Sequence, residues 1–382
     1  MTQEPFGDIP LFREIQRLLQ AGGGGPINKE IARQVATAVA LGGMTEPAPL
    51  PEESHSYSQI VYAAESVLTG YTRLPVGEPL RAQVVSRTWW IGSTLEAWAW
   101  ILERLARRFS GEMGKLGPEA PEGQENPMQA MMGQIAPLMM GLQVGSLVGQ
   151  LTKEQLGRYD LPIPRDDDGR LFLVAPNAEA LAADYELDIE ALKGWLGLNE
   201  AARALIEKRV TWVGPYFRSL LSEMVDSIEI DAEALERRLA ELQTQGIESL
   251  QESMGLEDVL PIVPSERHAR ALRRVRAFVA LFEGYASHAC AQVADQVVKD
   301  YARLEEVMSR RAAEPSDGEA MLTNLLGLSP DRALEQSGKT FCAAIVSLKG
   351  LATLNRVWDA PDNLPSVEEI KDPFAWIDRL SP

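Results

Sequence analysis

From Met131 to Leu151 the chain carries no charged residue. An uncharged stretch of this length must be buried, either in protein or in lipid, so it constrains the fold more than any other segment. It contains Pro137, Gln134, Gln143, Gln150 and several glycines, which fit a central helix of a globular protein better than a membrane span. Gly141, Gly145 and Gly149 recur every four residues on one helical face, and this predicts that another backbone approaches closely there.

Helical periodicity extends over most of the remaining sequence. Phe6 to Gln20 and Asn28 to Ala40 read as short amphipathic helices. The connector Gly22-Gly23-Gly24-Gly25-Pro26 between them lacks the Gly-Lys-Ser/Thr ending of a phosphate loop. Glu46 to Glu53 is Pro-rich and expected to be extended, and Ser56 to Thr69 to be a helix ending at Gly70. Glu78 to Phe109 reads as one long helical run whose Trp89, Trp90, Trp98 and Trp100 pack the core. Gly117 to Asn126 reads as a loop. Leu171 to Val174 is the best strand candidate, bounded by the turn Asp166-Asp167-Asp168-Gly169 and by Pro176-Asn177. The three aspartates lack the alternating ligands of a calcium loop and read as a solvated turn.

Asp188 to Ser227 is mostly helical, with Pro215 expected to bend or break it. Asp231 to Glu252 and Ser265 to Ala312 follow as helical runs, then a linker from Ala313 to Gly318, two helices within Ser329 to Trp358, and a short helix near Trp376. The expected fold class is therefore mainly α, α+β at most: a large multi-helix domain with a minor β element near 171–174. Residues 1–53 are expected as an N-terminal helical appendage and 54–382 as the main helical domain, or the two as one compact unit over 1–382.

Lys and Arg number 37 against 55 Asp and Glu, a net charge of −18. Such a surface repels phosphate backbones and anionic lipid, so neither nucleic acid nor membrane is expected as a partner. Cys290 and Cys342 show no metal spacing and read as small buried hydrophobes in a reducing compartment. Met1 to Leu11 has no signal-peptide pattern, so a cytoplasmic location is expected. The serine-hydrolase elbow Gly-x-Ser-x-Gly does not occur. Of the histidines, His55 reads as exposed at a helix start and His268 as lying in a basic helix start. The run Arg267, Arg270, Arg273, Arg274 and Arg276 is expected to pair with acids such as Asp231, Glu233 and Glu236, an anionic-ligand site being the alternative.

Several segments, in order, resemble the zincin-like metallopeptidase family of bacterial hydrolases. They are Gly149-Gln150-Leu151, Leu156-Gly157-Arg158-Tyr159-Asp160-Leu161-Pro162, and the strand ending in Pro176-Asn177. Trp212-Val213-Gly214-Pro215-Tyr216, Leu281-Phe282-Glu283-Gly284-Tyr285 and Leu354-Asn355-Arg356-Val357-Trp358 through Leu364-Pro365 continue the match. Gly338-Lys339-x-Phe341 and Asp372-Pro373-x-x-Trp376 fit as well, so the resemblance spans roughly residues 75–380.

The resemblance implies a helix bearing His-Glu-x-x-His, in which two His one turn apart bind zinc and the Glu is the general base. Here the corresponding stretch reads Asn199-Glu200-Ala201-Ala202-Arg203. Glu200 stands at the general-base position, Asn199 and Arg203 replace the histidines, and Glu283 stands where a third ligand is implied. Zinc, implied for intact relatives, is not expected here, and Arg203 is expected to pair with both Glu200 and Glu283 in its place. Tyr285 belongs to the same expected cluster. His288, five residues after Glu283 and about 140° round the helix, is the only histidine near the motif. The implied function is a hydrolase-family member with a decayed, metal-free site and a binding or scaffold role toward a protein or peptide ligand. The alternatives are an active hydrolase using Glu200 and Glu283 with an atypical metal set or without metal, and a helical interaction protein that never carried peptidase chemistry.

Overall fold

The computed structural model describes residues 25–113, 127–230, 262–263, 265–314, 316–326 and 332–380. In chain order these form α1 (Lys29–Leu41), α2 (Pro51–Thr72), β1 (Ala82–Val85), α3 (Arg87–Ala97), α4 (Ala99–Met113) and α5 (Pro127–Thr152). There follow β2 (Leu171–Val174), α6 (Ala175–Asp184), α7 (Ile189–Arg209), α8 (Val213–Asp226), β3 (Glu229–Ile230), β4 (Ile262–Val263) and α9 (Glu266–Val293). The remainder is α10 (Tyr301–Ala313), α11 (Asp317–Leu326), α12 (Arg332–Lys349), α13 (Leu351–Asn355), α14 (Val367–Lys371) and α15 (Pro373–Leu380). The architecture is mainly helical, and one contiguous cluster of buried apolar side chains runs from Ile27 to Ile377.

The uncharged segment forms the C-terminal part of α5, and α1 lies along it. A Cβ on Gly141, Gly145 or Gly149 would come within 2.7 Å of Asn28 O, Ala32 O or Val39 Cβ respectively. The bare glycine face lets the two backbones touch. The Asn28 amide also donates to the Pro137 carbonyl at 2.9 Å. Asn28 caps α1 by accepting from the Ile31 amide, and Gly42 ends the helix in the left-handed region. No described helix is long and apolar enough to cross a membrane. The expected 1–53 unit begins in residues outside the described ones, including Phe6 to Gln20; its described helix α1 joins the core through Ala32 and Ala36.

β1 and β2 pair in parallel, from Ala82 opposite Leu171 to Val85 opposite Val174, and all of β2 is buried. The expected single helix over Glu78 to Phe109 is thus corrected. The stretch Ala82–Val85 ends in two β-branched residues and pairs as a strand, Ser86 then caps α3 by accepting from the Trp89 amide, and the chain turns again at Trp98. Trp90 and Trp98 pack in the core, whereas Trp89 is 40% exposed. α2 starts earlier than expected, at Pro51, because proline suits a first turn; Gly70 lies inside it. The helix expected over Asp188 to Ser227 breaks at 210–212, ahead of Pro215, which sits in the first turn of α8 where its missing N–H costs nothing. The run from Ser265 is interrupted after Val293 and resumes at α10, beyond Asp300 in the left-handed region. Gly117 to Asn126 and Asp231 to Glu252 lie outside the described residues, as do the acids proposed for the basic run.

α7 is buried on nearly all sides: Leu192, Leu196, Leu198, Ala201, Ala204, Leu205 and Ile206 are in the core. It packs against α2 and α9. α9 in turn crosses α12 at glycine: a Cβ on Gly284 would meet the Gly338 carbonyl carbon at 2.3 Å. This contact holds the stretch of α9 that carries Glu283.

Gly145→Ala should cost about 1–3 kcal/mol, since its methyl group must displace α1 backbone. Gly92→Ala, in open space within α3, should instead stabilise by about 0.5–1 kcal/mol. Urea unfolding of the two variants checks both signs.

Candidate functional site

α7 places Asn199, Glu200 and Arg203 within one turn, and α9 brings Glu283 against them. The Arg203 guanidinium grips Glu283 through Nε (3.1 Å to Oε1, 3.0 Å to Oε2) and Nη2 (2.5 Å to Oε2). Its Nη1 donates to the Asn199 carbonyl at 2.9 Å. The Asn199 amide donates back along the helix to Trp195 O at 2.9 Å. The pair is largely buried, with Arg203 and Glu283 side chains 16% and 24% exposed. Burial would lower the Arg203 pKa, but the charge and hydrogen bonds of Glu283 outweigh it and raise it, so the guanidinium stays charged.

Glu200 belongs to a different arrangement. The expectation that Arg203 joins both glutamates is corrected here, because the Glu200 carboxylate is taken by backbone. Its Oε2 accepts from the Arg158 amide at 2.9 Å and its Oε1 from the Tyr159 amide at 2.9 Å. Gly157 is obligatory beneath it, since a Cβ there would lie 2.5 Å from Glu200 Oε1. The loop also closes on itself, Asp160 Oδ2 accepting from the Gly157 amide at 3.1 Å and from the Leu156 amide. Burial, and then the nearby Asp160 charge, push the Glu200 carboxyl up to about 8, against the two amide hydrogen bonds and Arg203, which favour the ionised form.

Charged groups beyond the motif hold this loop. Arg158 pairs with Asp167 at 2.6 Å, and Arg165 reaches the same carboxylate at 3.1 Å. Asp167 is therefore an internal ion-pair residue and not part of a merely solvated turn. The Tyr159 hydroxyl donates to Glu207, two turns along α7 from Glu200. Sequence reasoning named Arg158 and Asp160 only within a family-matching block and Asp167 only in a solvated turn, and did not name Arg165 or Glu207. The available signal was the block Leu156–Pro162, whose acid and glycine have no evident role until Glu200 is seen facing them.

The two other named residues of α9 point elsewhere. Tyr285 donates to Asn355 Oδ1 at 2.8 Å, and Asn355 donates to Thr72 O at 2.8 Å. Its ring meets Trp358 edge-on at 5.3 Å, so Tyr285 pins α9 to the C-terminal segment. His288 Nε2 lies 2.9 Å from the Tyr71 hydroxyl. Burial and the Lys339 charge lower its pKa, which favours neutral imidazole. His268 caps α8 from outside through Ser227 Oγ at 3.0 Å, and His55 meets Gln59 at 3.0 Å.

A cleft of about 230 Å³ opens beside the motif, lined by Asn199, Glu200, Arg203 and Glu283. Further acids, Glu154, Asp160, Glu314, Glu319 and Glu335, line it with Arg311. The fold and this cleft define a mostly helical protein in which the buried helix α7 presents Asn199, Glu200 and Arg203 to a cleft.

A family model described as zincin-like metallopeptidase matches residues 27–377, and the chain belongs to that family. No curated protein matches it. Among solved structures it is similar to a protein from Chloroflexus aurantiacus described as "a putative hydrolase with a novel fold". The two share 22% identity and a TM-score of 0.67, over 93% of this chain and 98% of that one, which is a likeness of fold.

The zinc ion that the family implies does not fit the donors present. Arg203 offers no lone pair, and the Asn199 amide nitrogen is turned to Trp195. Both Glu283 oxygens are engaged by Arg203. Among the described residues no group of three or more His, Cys, Asp or Glu is placed to hold a metal ion.

Two predictions follow from this geometry. Because the folded-state pKa of Glu200 is raised, the folded protein holds a proton that the unfolded chain loses. That contribution is complete below the ordinary glutamate value of 4.5 and is lost as pH rises to about 8. Glu200→Gln should remove this falling component, up to about 1.4 kcal/mol per pH unit, from urea stability measured across the window. Arg203→Met alone should cost about 3 kcal/mol by stranding Glu283, and Arg203→Met/Glu283→Leu should recover most of it in the same assay.

Proposed function

We propose that this zincin-like chain is a metal-independent binding protein, with the cleft beside α7 as its ligand seat. The observation that carries the reading is the Arg203 fork on Glu283. Arg203 stands at a histidine position of the motif, so its permanent charge meets the carboxylate that a metal ion would otherwise meet. A second cation at that spot would be repelled and would find Glu283 already paired. The acids that line the cleft favour a ligand presenting a positive group, such as a protein or peptide with a basic side chain. The free, buried Cys290 and Cys342 are consistent with a cytoplasmic setting.

A second reading, a working hydrolase with Glu200 as its base, draws on one observation. A carboxyl near pKa 8 at a cleft lies in the range useful for proton transfer. Against it, both Glu200 oxygens already accept from loop amides and the residue is only 4% exposed.

Elemental mass spectrometry of the untagged protein, after incubation with zinc and dialysis, separates the readings. The wild type should retain no zinc above buffer level, whereas Asn199→His/Arg203→His, which frees Glu283 as a third ligand, should gain it. Near-stoichiometric zinc in the wild type, lost in Glu283→Gln, would overturn the metal-independent reading.

A further inference from the structure

The basic run at the start of α9 faces away from the cleft. Val275, Val279 and Glu283 border the cavities on one side of this helix, while Arg270, Arg273, Arg274, Ala277 and Phe278 border a groove of about 590 Å³ on the other. We propose that this groove binds a short acidic peptide, with Arg270 and Arg273 taking its carboxylates and the apolar floor taking a hydrophobic side chain. The inference is independent of what the cleft binds.

Four arginines line the groove, but they are not equivalent. Arg379 is engaged by Glu369 and by the carbonyls of Asp362 and Leu364. Arg274 pairs with Glu223 at 2.5 Å. Arg270 and Arg273 are exposed, one turn apart on the same face, and neither makes an ion pair or side-chain hydrogen bond among the described residues. Two guanidinium forks side by side match carboxylates, which they can bind in two-point fashion, and Arg273 already acts on the Glu368 carboxyl at the rim.

The rest of the groove is shaped in advance. Phe278 and Ala277 are buried in its floor, and Leu364 and Pro365 form the facing wall. That wall is held by Arg379, by the capping box of Ser366 and Glu369 at the start of α14, and by the Trp376 indole donating to Asn363 O at 2.8 Å. Glu368, exposed on the rim, is the acid that an incoming carboxylate would meet. The occupant follows from charge complementarity at two scales. Locally the groove is basic, which selects acids. Globally the chain carries −18, which repels a long polyanion but is screened beyond about 8 Å at physiological salt for a short segment.

Fluorescence anisotropy on the full-length protein tests this, with a fluorescein-labelled short peptide of glutamates around one phenylalanine and a lysine counterpart as probes. The glutamate probe should bind saturably and more weakly as salt rises. Arg270→Glu/Arg273→Glu should weaken it by about tenfold or more, and Glu368→Gln should strengthen it. Arg310→Glu, at a highly exposed arginine on α10, should leave it unchanged. The targeted side chains are exposed, so thermal melts of the variants should match the wild type. The proposal is overturned if the lysine probe binds as well as the glutamate probe. It is equally overturned if charge reversal at 270 and 273 leaves binding intact, or if a single-stranded oligonucleotide outcompetes the acidic probe.

Discussion

A helix buried on almost every side along its middle leaves the polar side chains there little water to fall back on, and α7 is such a helix. Asn199 and Glu200 are buried on it, and Arg203 is largely so. Each must therefore be met by protein, because an unpaired buried charge costs several kcal/mol. The meeting is divided between two partners. α9 supplies a carboxylate to Arg203, and the loop after α5 supplies backbone amides to Glu200. The glycine crossing of α9 with α12 and the glycine stripe of α5 hold those partners at the necessary distances.

The sequence was most legible where one chemical property dominated. The glycine spacing in α5 announced a backbone contact, and α1 makes it. The four apolar residues of β2 announced a strand, although its partner was hidden: Ala82–Val85 sits in a long helical-looking run, and parallel pairing depends on residues far away in sequence. Helix ends were legible in part: the break expected at Pro215 falls just before it, at 210–212, whereas Pro51 starts a helix where an extended segment was expected. The family resemblance pointed to α7 and to Glu283, and Arg203 of α7 does meet Glu283. It did not reveal that Glu200 turns away from Arg203, since nothing in Asn199–Arg203 says that a loop forty residues upstream presents two amides. Asp167, Arg158 and Arg165 escaped for the same reason: an ion pair across a fold has no local pattern.

Charge is distributed unevenly over this acidic chain, and the unevenness follows the helices. α9 separates a cavity whose charged lining is mostly carboxylates from a groove whose charged lining is mostly guanidiniums. One helix thus presents opposite electrostatic character on its two flanks, because Glu283 borders the cleft and Arg270 and Arg273 border the groove. The membership of the zincin-like family accounts for the scaffold; what this chain does with it rests on these side chains.

Glu200 grips main chain, not side chain. The course of the loop at 156–160 is therefore written on α7, a distant part of the sequence, much as a casting takes its form from a mould. Substitutions at 158 and 159 would keep the two gripped amides but lose the contacts to Asp167 and Glu207, whereas a Cβ at 157 would press on the Glu200 carboxyl itself. The path of the loop is thus fixed twice over, once through its main chain by α7 and once through its own side chains by Asp167 and Glu207.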